Sequence, residues 1–174
     1  LQRAFFSPPA PEGDTGEVTV NADRITLRDR AVINVEHLGT GNAGELEVNA
    51  SQVLVEDSAS ILATTASGRG GNVALNIDNL LQLRDRARIS VEALGDIGDG
   101  GNLSVDAETI ALFNNSLIRA DAVGGTGGNI LITTQGLFVS SDSQITASSQ
   151  FGVDGIVQVR EPDVDPASGL VELP

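Results

Sequence analysis

Four groups of residues in this 174-residue chain have types and spacings that chemistry could use. The first is GTGNAG, Gly39 to Gly44, which matches the G-x-G-x-x-G turn that cradles a pyrophosphate between a strand and a helix N-terminus. That turn must open a helix. The residues after Gly44 read ELEVNASQVLVED and alternate as a strand does. Equivalent stretches later in the chain (SGRGG, GDIGDGG, VGGTGG, FGVDG) keep the glycines and lose the fingerprint. The glycines are therefore read as an exposed turn that tolerates positive φ, with no bound phosphate and no helix after it. The second group is Asp96 and Asp99 in GDIGDGGN, whose oxygens suit a hard cation such as Ca²⁺. The calcium nonapeptide of roll-type repeats is not iterated, so no metal and no cofactor is assigned.

The third group is a column of carboxylates, Asp29, Asp57 and Asp85. Sugar hydrolysis by paired acids needs them at set distances in a groove. Here Arg28, Arg30, Arg84 and Arg86 flank them, and Arg28, Glu56 and Arg84 alternate in sign, which favours a stacked salt-bridged ladder. The fourth is His37, the one histidine, read as a solvated side chain in a variable corner. No Ser-His-Asp arrangement can be built on it. With no cysteine in the chain, thiol catalysis and disulfides are excluded. No catalytic residue emerges, and the chain is read as a non-enzyme.

Composition narrows the partners. The net charge is −14 and all ten basic residues are arginine. Such a surface repels phosphate backbones, which argues against nucleic acid. No apolar run approaches the ~20 residues that span a bilayer. The sequence has neither an initiating Met nor a signal peptide, so it is expected to be a processed or excised piece of a longer protein.

The elements that carry these residues are repeats. Aligned on Gly16, Gly44, Gly71, Gly101, Gly128 and Gly155, the chain returns to the same pattern about every 27 residues. Each unit carries three pairs of alternating apolar residues, exemplified by Leu46 and Val48, Val53 and Val55, and Ile61 and Ala63. A small residue (Ala31, Ala59, Ala87, Ser116, Ser143) precedes the third pair. Three short strands per coil without helical periodicity predict an all-β, right-handed parallel β-helix, or β-solenoid, of five to six coils. An extra residue at Asp78–Asn79 is expected to bulge at a corner.

The predicted division is an irregular segment or cap over 1–15, with Phe5 and Phe6 packed down, β-helix coils over 16–160, and an extended or capping tail over 161–174. Asn21, Asn49, Asn76 and Asp106 fall at one corner and are expected to form a structural ladder. Leu54, Phe113 and Phe138 face outward. They form either a contact patch or a surface covered by the terminal segments. Asn34, Leu62, Ser90, Arg119 and Thr146 line the outside of the third strand, so there is no threonine row of the kind that binds ice.

The stretch GNAGELEVNASQVLVEDSASILATTASGRGGNVALNI resembles the repeats of filamentous-haemagglutinin-like exoproteins of two-partner secretion, in the form common in cyanobacteria. The closing GIVQVREPDVDPASGLVELP is similar to the segment where such arrays end. The resemblance spans residues 12 to 174. It implies a structural or adhesive stalk that is secreted to the cell surface through an outer-membrane transporter partner. Adhesion to a cell-surface glycan or protein, or extracellular fibre formation, would be its role. A polysaccharide-binding or polysaccharide-cleaving β-helix, and a module that self-associates end to end into filaments, are the alternative readings.

Overall fold

The computed structural model describes residues 13–39, 41–95 and 98–161. Among them, strands follow one another in chain order as β1 (Val18–Leu27), β2 (Val32–Asn34), β3 (Glu45–Val55), β4 (Ser60–Leu62), β5 (Asn72–Leu83), β6 (Arg88–Ser90), β7 (Leu103–Leu112), β8 (Leu117–Arg119), β9 (Ile130–Thr133), β10 (Gly136–Val139), β11 (Gln144–Thr146) and β12 (Val157–Arg160). Every pairing is parallel and joins one coil to the next. The long strands form a seven-stranded sheet in the order β1-β3-β5-β7-β9-β12, with β10 on β7. The short ones form a five-stranded sheet in the order β11-β8-β6-β4-β2. This is the β-solenoid that the repeats predict, about five coils tall.

The register follows the sequence alignment residue for residue. Val20 pairs with Val48, Val48 with Leu75 and Leu75 with Val105. Ile33, Ile61, Ile89, Ile118 and Ile145 stack as one isoleucine column. Leu46, Leu75, Leu83, Ile61, Ile89 and Ile118 are fully buried. Each such side chain contributes roughly 1.5–3 kcal/mol by leaving water. The one-residue excess of coil three is taken up between Ile77 and Leu80, where pairing to both neighbouring coils shifts.

Three expectations change. First, the first two strands of each coil are continuous in β1, β3, β5 and β7, and separate only in coil five, as β9 and β10. Alternation survives where no corner bends the chain, so a sequence period of two cannot see that a corner is missing. The third face adds only a column of single bridges, His37–Thr65–Ala93–Ala122–Ser149.

Second, positive φ occurs at the third corner as expected, at Gly68 (130°) and Gly98 (140°), but also at a second place that the glycines do not mark. Asp29/Arg30, Asp57/Ser58, Asp85/Arg86 and Asn114/Asn115 all have positive φ, between 54° and 65°. With Ala31 N–H donating to the Arg28 carbonyl (3.0 Å) and Ala59 N–H to the Glu56 carbonyl (3.0 Å), these are mirror-image tight turns. Asp and Asn tolerate that region best. Ala59, Ala87 and Ser116 sit fully buried behind the turns, which explains the column of small residues.

Third, the corner glycines answer to close approach. A Cβ on Gly101 would lie 2.8 Å from the carbonyl carbon of Gly71 and closer still to its oxygen. The same overlap recurs from Gly44 to Gly155, each glycine against its equivalent one coil earlier. Gly39–Gly44 is followed by β3 and no helix, as expected. Of its described residues only Asn42 is exposed as expected; Gly39 is buried, and Gly41, Ala43 and Gly44 are half-buried.

The segments 1–12 and 162–174, with Phe5, Phe6 and most of the expected cap and tail, lie outside the described residues. Asp14 and Thr15 already join the coils: the Asp14 carboxylate accepts the Asn42 N–H at 2.8 Å, and Thr15 N–H donates to the Asn42 carbonyl at 3.1 Å.

Candidate functional site

The outer surface carries side-chain ladders, because equivalent residues of successive coils stand about 4.8 Å apart. Asn49 donates its amide to the Asn21 Oδ1, and Asn76 donates to the Asn49 Oδ1, each at 2.8 Å. These residues stand within the long strands and not at a corner. Asp106 is next in register after Asn76, but a carboxylate has no proton to pass on, so the polarity of the ladder stops there. A second ladder, which sequence reading missed, joins Asn102 to Asn72 and Asn129 to Asn102, each at 3.2 Å. Its signal was present in the recurrent Asn that follows the paired glycines.

Glu56 lies between Arg28 and Arg84. The Arg84 Nε donates to Glu56 Oε2 at 2.7 Å, its Nη2 bonds the same oxygen, and the Arg28 Nε stands 3.8 Å from Oε1. The Glu56 side chain is only 9% exposed, because the two arginines fold over a nominally outward position. Its hydrogen bond and charge raise the Arg84 guanidinium above its already high ordinary pKa. The Asp29, Asp57 and Asp85 carboxylates stand on the tight turns beside this ladder, where the Asp85 Oδ1 accepts the Asn114 amide at 2.8 Å. That geometry is turn-forming: Asp29 and Asp57, with Arg30, Ser58 and Arg86, line an open surface recess in which the acids alternate with arginines.

The apolar positions divide. Phe138 is in register with Ala111 and reduces it to 7% exposure while staying 58% exposed itself. Phe113, just past β7, is one diagonal step away, within reach of an aromatic side chain. Leu54 is separated from them by Gln82 and Ala111 in its own column and is half-buried. The expected patch is therefore divided: Phe113 and Phe138 are exposed on neighbouring coils, with the Phe138 ring over Gly136, and Leu54 stands apart from both.

Asp96 lies outside the described residues, and the Asp99 Oδ1 accepts the Thr126 N–H at 2.8 Å. Among the described residues no three His, Cys, Asp or Glu side chains group to hold a metal. His37 is buried, at 7% exposure, contrary to its reading as solvated. It occupies the inward bridge column, with Nδ1 3.3 Å from the Thr15 hydroxyl.

One recess was not anticipated. At the third corner, Glu92 and Leu94 of coil three, Arg119, Asp121 and Val123 of coil four, and Gln150 of coil five line a shallow cleft. The inward bridges at Ala93, Ala122 and Ser149 turn the residues on either side of them outward, so the sheet itself aims these side chains. The Asp121 Oδ1 accepts the Ser148 N–H at 2.8 Å and the Ser148 hydroxyl at 3.0 Å, and Oδ2 accepts the Thr146 hydroxyl at 3.2 Å. Arg119 lies between two acids: Nη1 is 3.8 Å from Glu92 Oε1 and Nε is 3.8 Å from Asp121 Oδ2. Both separations exceed hydrogen-bonding reach. Comparison of the chain with protein-family models, with curated proteins and with solved structures finds no match.

Proposed function

We propose that the chain is a structural and adhesive stalk segment of a cell-surface exoprotein, without catalysis. One observation carries this reading: among the described residues, the sheets and the side-chain ladders run along one axis. The parallel sheets, the two asparagine ladders and the glycine column all join coil to coil. Such a body resists bending and presents repeated side chains along its length, as repeat proteins used for extended recognition do. Its negative charge keeps it soluble and apart from other acidic polymers. The likeness of its repeats to filamentous-haemagglutinin-like exoproteins adds export through an outer-membrane transporter and a place at the cell surface.

Two measurements test the proposal. Beads coated with the purified chain should adhere to glycosylated cell surfaces more than beads coated with an unrelated protein of equal negative charge. Incubation with pectate, alginate and hyaluronan should release no new reducing ends. Turnover of any of these polymers that vanished in Asp29→Asn, Asp57→Asn or Asp85→Asn would replace the stalk with an enzyme.

A further inference from the structure

We propose that the third-corner cleft of coils three to five binds a neutral, hydroxyl-rich saccharide. Among the described residues, four buried side-chain atoms have no hydrogen-bond partner: His37 Nε2, Ser90 Oγ, Glu92 Oε1 and Arg119 Nε. Buried polar groups are nearly always paired, so each exception asks for a partner. Two of these four, Glu92 Oε1 and Arg119 Nε, belong to side chains that line the cleft, and Ser90 lies beneath it without lining it. Ser90 is in register with Arg119 and stands two residues before Glu92 on the same outward row. It is 1% exposed, and its hydroxyl is still unpartnered.

The chemistry of the group selects the ligand. Glu92 and Asp121 offer acceptors and Arg119 offers donors, a mixture that suits hydroxyl groups, which both donate and accept. A phosphate or uronate would face two carboxylates on a chain of charge −14. A bare cation would face the guanidinium that stands between those carboxylates. Leu94, 55% exposed, and Val123 supply the apolar wall against which the C–H face of a sugar ring packs. Asp121 is already held by Ser148 and Thr146, so part of the site is ordered before any ligand arrives.

The inference rests on the adhesive reading above and gives it a ligand class. The test is an array of neutral glycans probed with the native chain and with the double variant Glu92→Gln/Asp121→Asn. At least one neutral glycan should bind the native chain, and binding should fall at least tenfold in the double variant. The best-binding glycan should shift backbone amide resonances of residues 92–94, 119–123 and 148–150. Leu94→Ala, at an exposed position, should weaken binding with an unchanged thermal midpoint, which guards against a double variant that merely unfolds. The proposal is overturned if no neutral glycan distinguishes native chain from variant, if uronate-containing glycans bind best, or if the shifted resonances cluster at Phe113 and Phe138. Coated beads that fail to adhere while array binding persists would sink the adhesive reading and leave the site standing.

Discussion

Consider replacing Gly101 by alanine. The added Cβ would lie 2.8 Å from the Gly71 carbonyl carbon and 2.9 Å from that of Gly70, where carbon atoms normally keep roughly 3.5 Å. The shortfall approaches 1 Å and is against backbone, which has no rotamer to turn aside. Opening the coils by that amount would stretch neighbouring bonds such as Gly101 N–H to the Val91 carbonyl and Val73 N–H to the Asn102 carbonyl, each 2.9 Å, past useful length. Two lost hydrogen bonds at about 1 kcal/mol each and an overpacking cost of about 1–3 kcal/mol give a destabilisation of about 3–5 kcal/mol. The control is Gly16→Ala, at the same position of the repeat. Among the described residues no heavy atom lies within 4 Å of a Cβ there, so its effect should be within about 0.5 kcal/mol. Urea titrations followed by far-ultraviolet circular dichroism suit a chain without Trp or Tyr. A Gly101→Ala cost below about 1 kcal/mol, or an equal cost at both sites, would refute close approach as the reason for the glycines.

Three further outcomes follow from the ladders. Glu56→Ala should destabilise by about 1–2 kcal/mol in the same titration, because it leaves Arg28 and Arg84 facing each other; the arginines are partly exposed, which keeps the figure below that of a fully buried pair. Asp106→Asn should stabilise by about 0.5–1 kcal/mol, since an amide can donate to the Asn76 oxygen where a carboxylate cannot; a loss of stability would show that the ladder does not extend. The Ser140 hydroxyl holds the Asp142 carboxyl below its ordinary 3.8. A depressed folded pKa gives stability that is present above the unfolded pKa and is lost as pH falls through the folded one. Ser140→Ala should therefore flatten the acid limb below about pH 4, measured as thermal midpoints of both chains between about pH 5 and about pH 2.

Most of the fold was legible because a solenoid makes sequence period and spatial neighbour the same thing. Once Gly16 was aligned with Gly44, the stacking of Ile33 on Ile61 and of Asn21 on Asn49 followed without further information. The alternation of sign from Arg28 to Glu56 to Arg84 was readable for the same reason. What escaped was set by the direction in which the chain bends and by side chains whose types do not repeat from coil to coil. The fusion of two predicted strands into β3 left the alternation untouched. His37 shares an inward column with Thr65 and Ala93, and its burial is fixed by which way the third face turns, to which one histidine in a variable corner gives no clue. The cleft of Glu92, Arg119 and Asp121 is assembled by outward residues of three coils whose types do not repeat, so no period announces it. The glycines stand out in the sequence, but the close approach that requires them is to the carbonyl one coil away.

The bulge at Asp78–Asn79 has a consequence for how such a rod varies. Pairing to the coils on both sides slips between Ile77 and Leu80 and is restored from Leu80 onward. The Ser51 hydroxyl already bonds the Asp78 carboxylate across the gap at 3.0 Å. An added residue is thus absorbed as a bulge inside β5, and the pairing from Leu80 onward is unchanged. In genetic terms, an in-frame insertion there is a lesion that heals locally, while a single methyl group on a stacked glycine is not. The coils on either side keep their register across this one added residue.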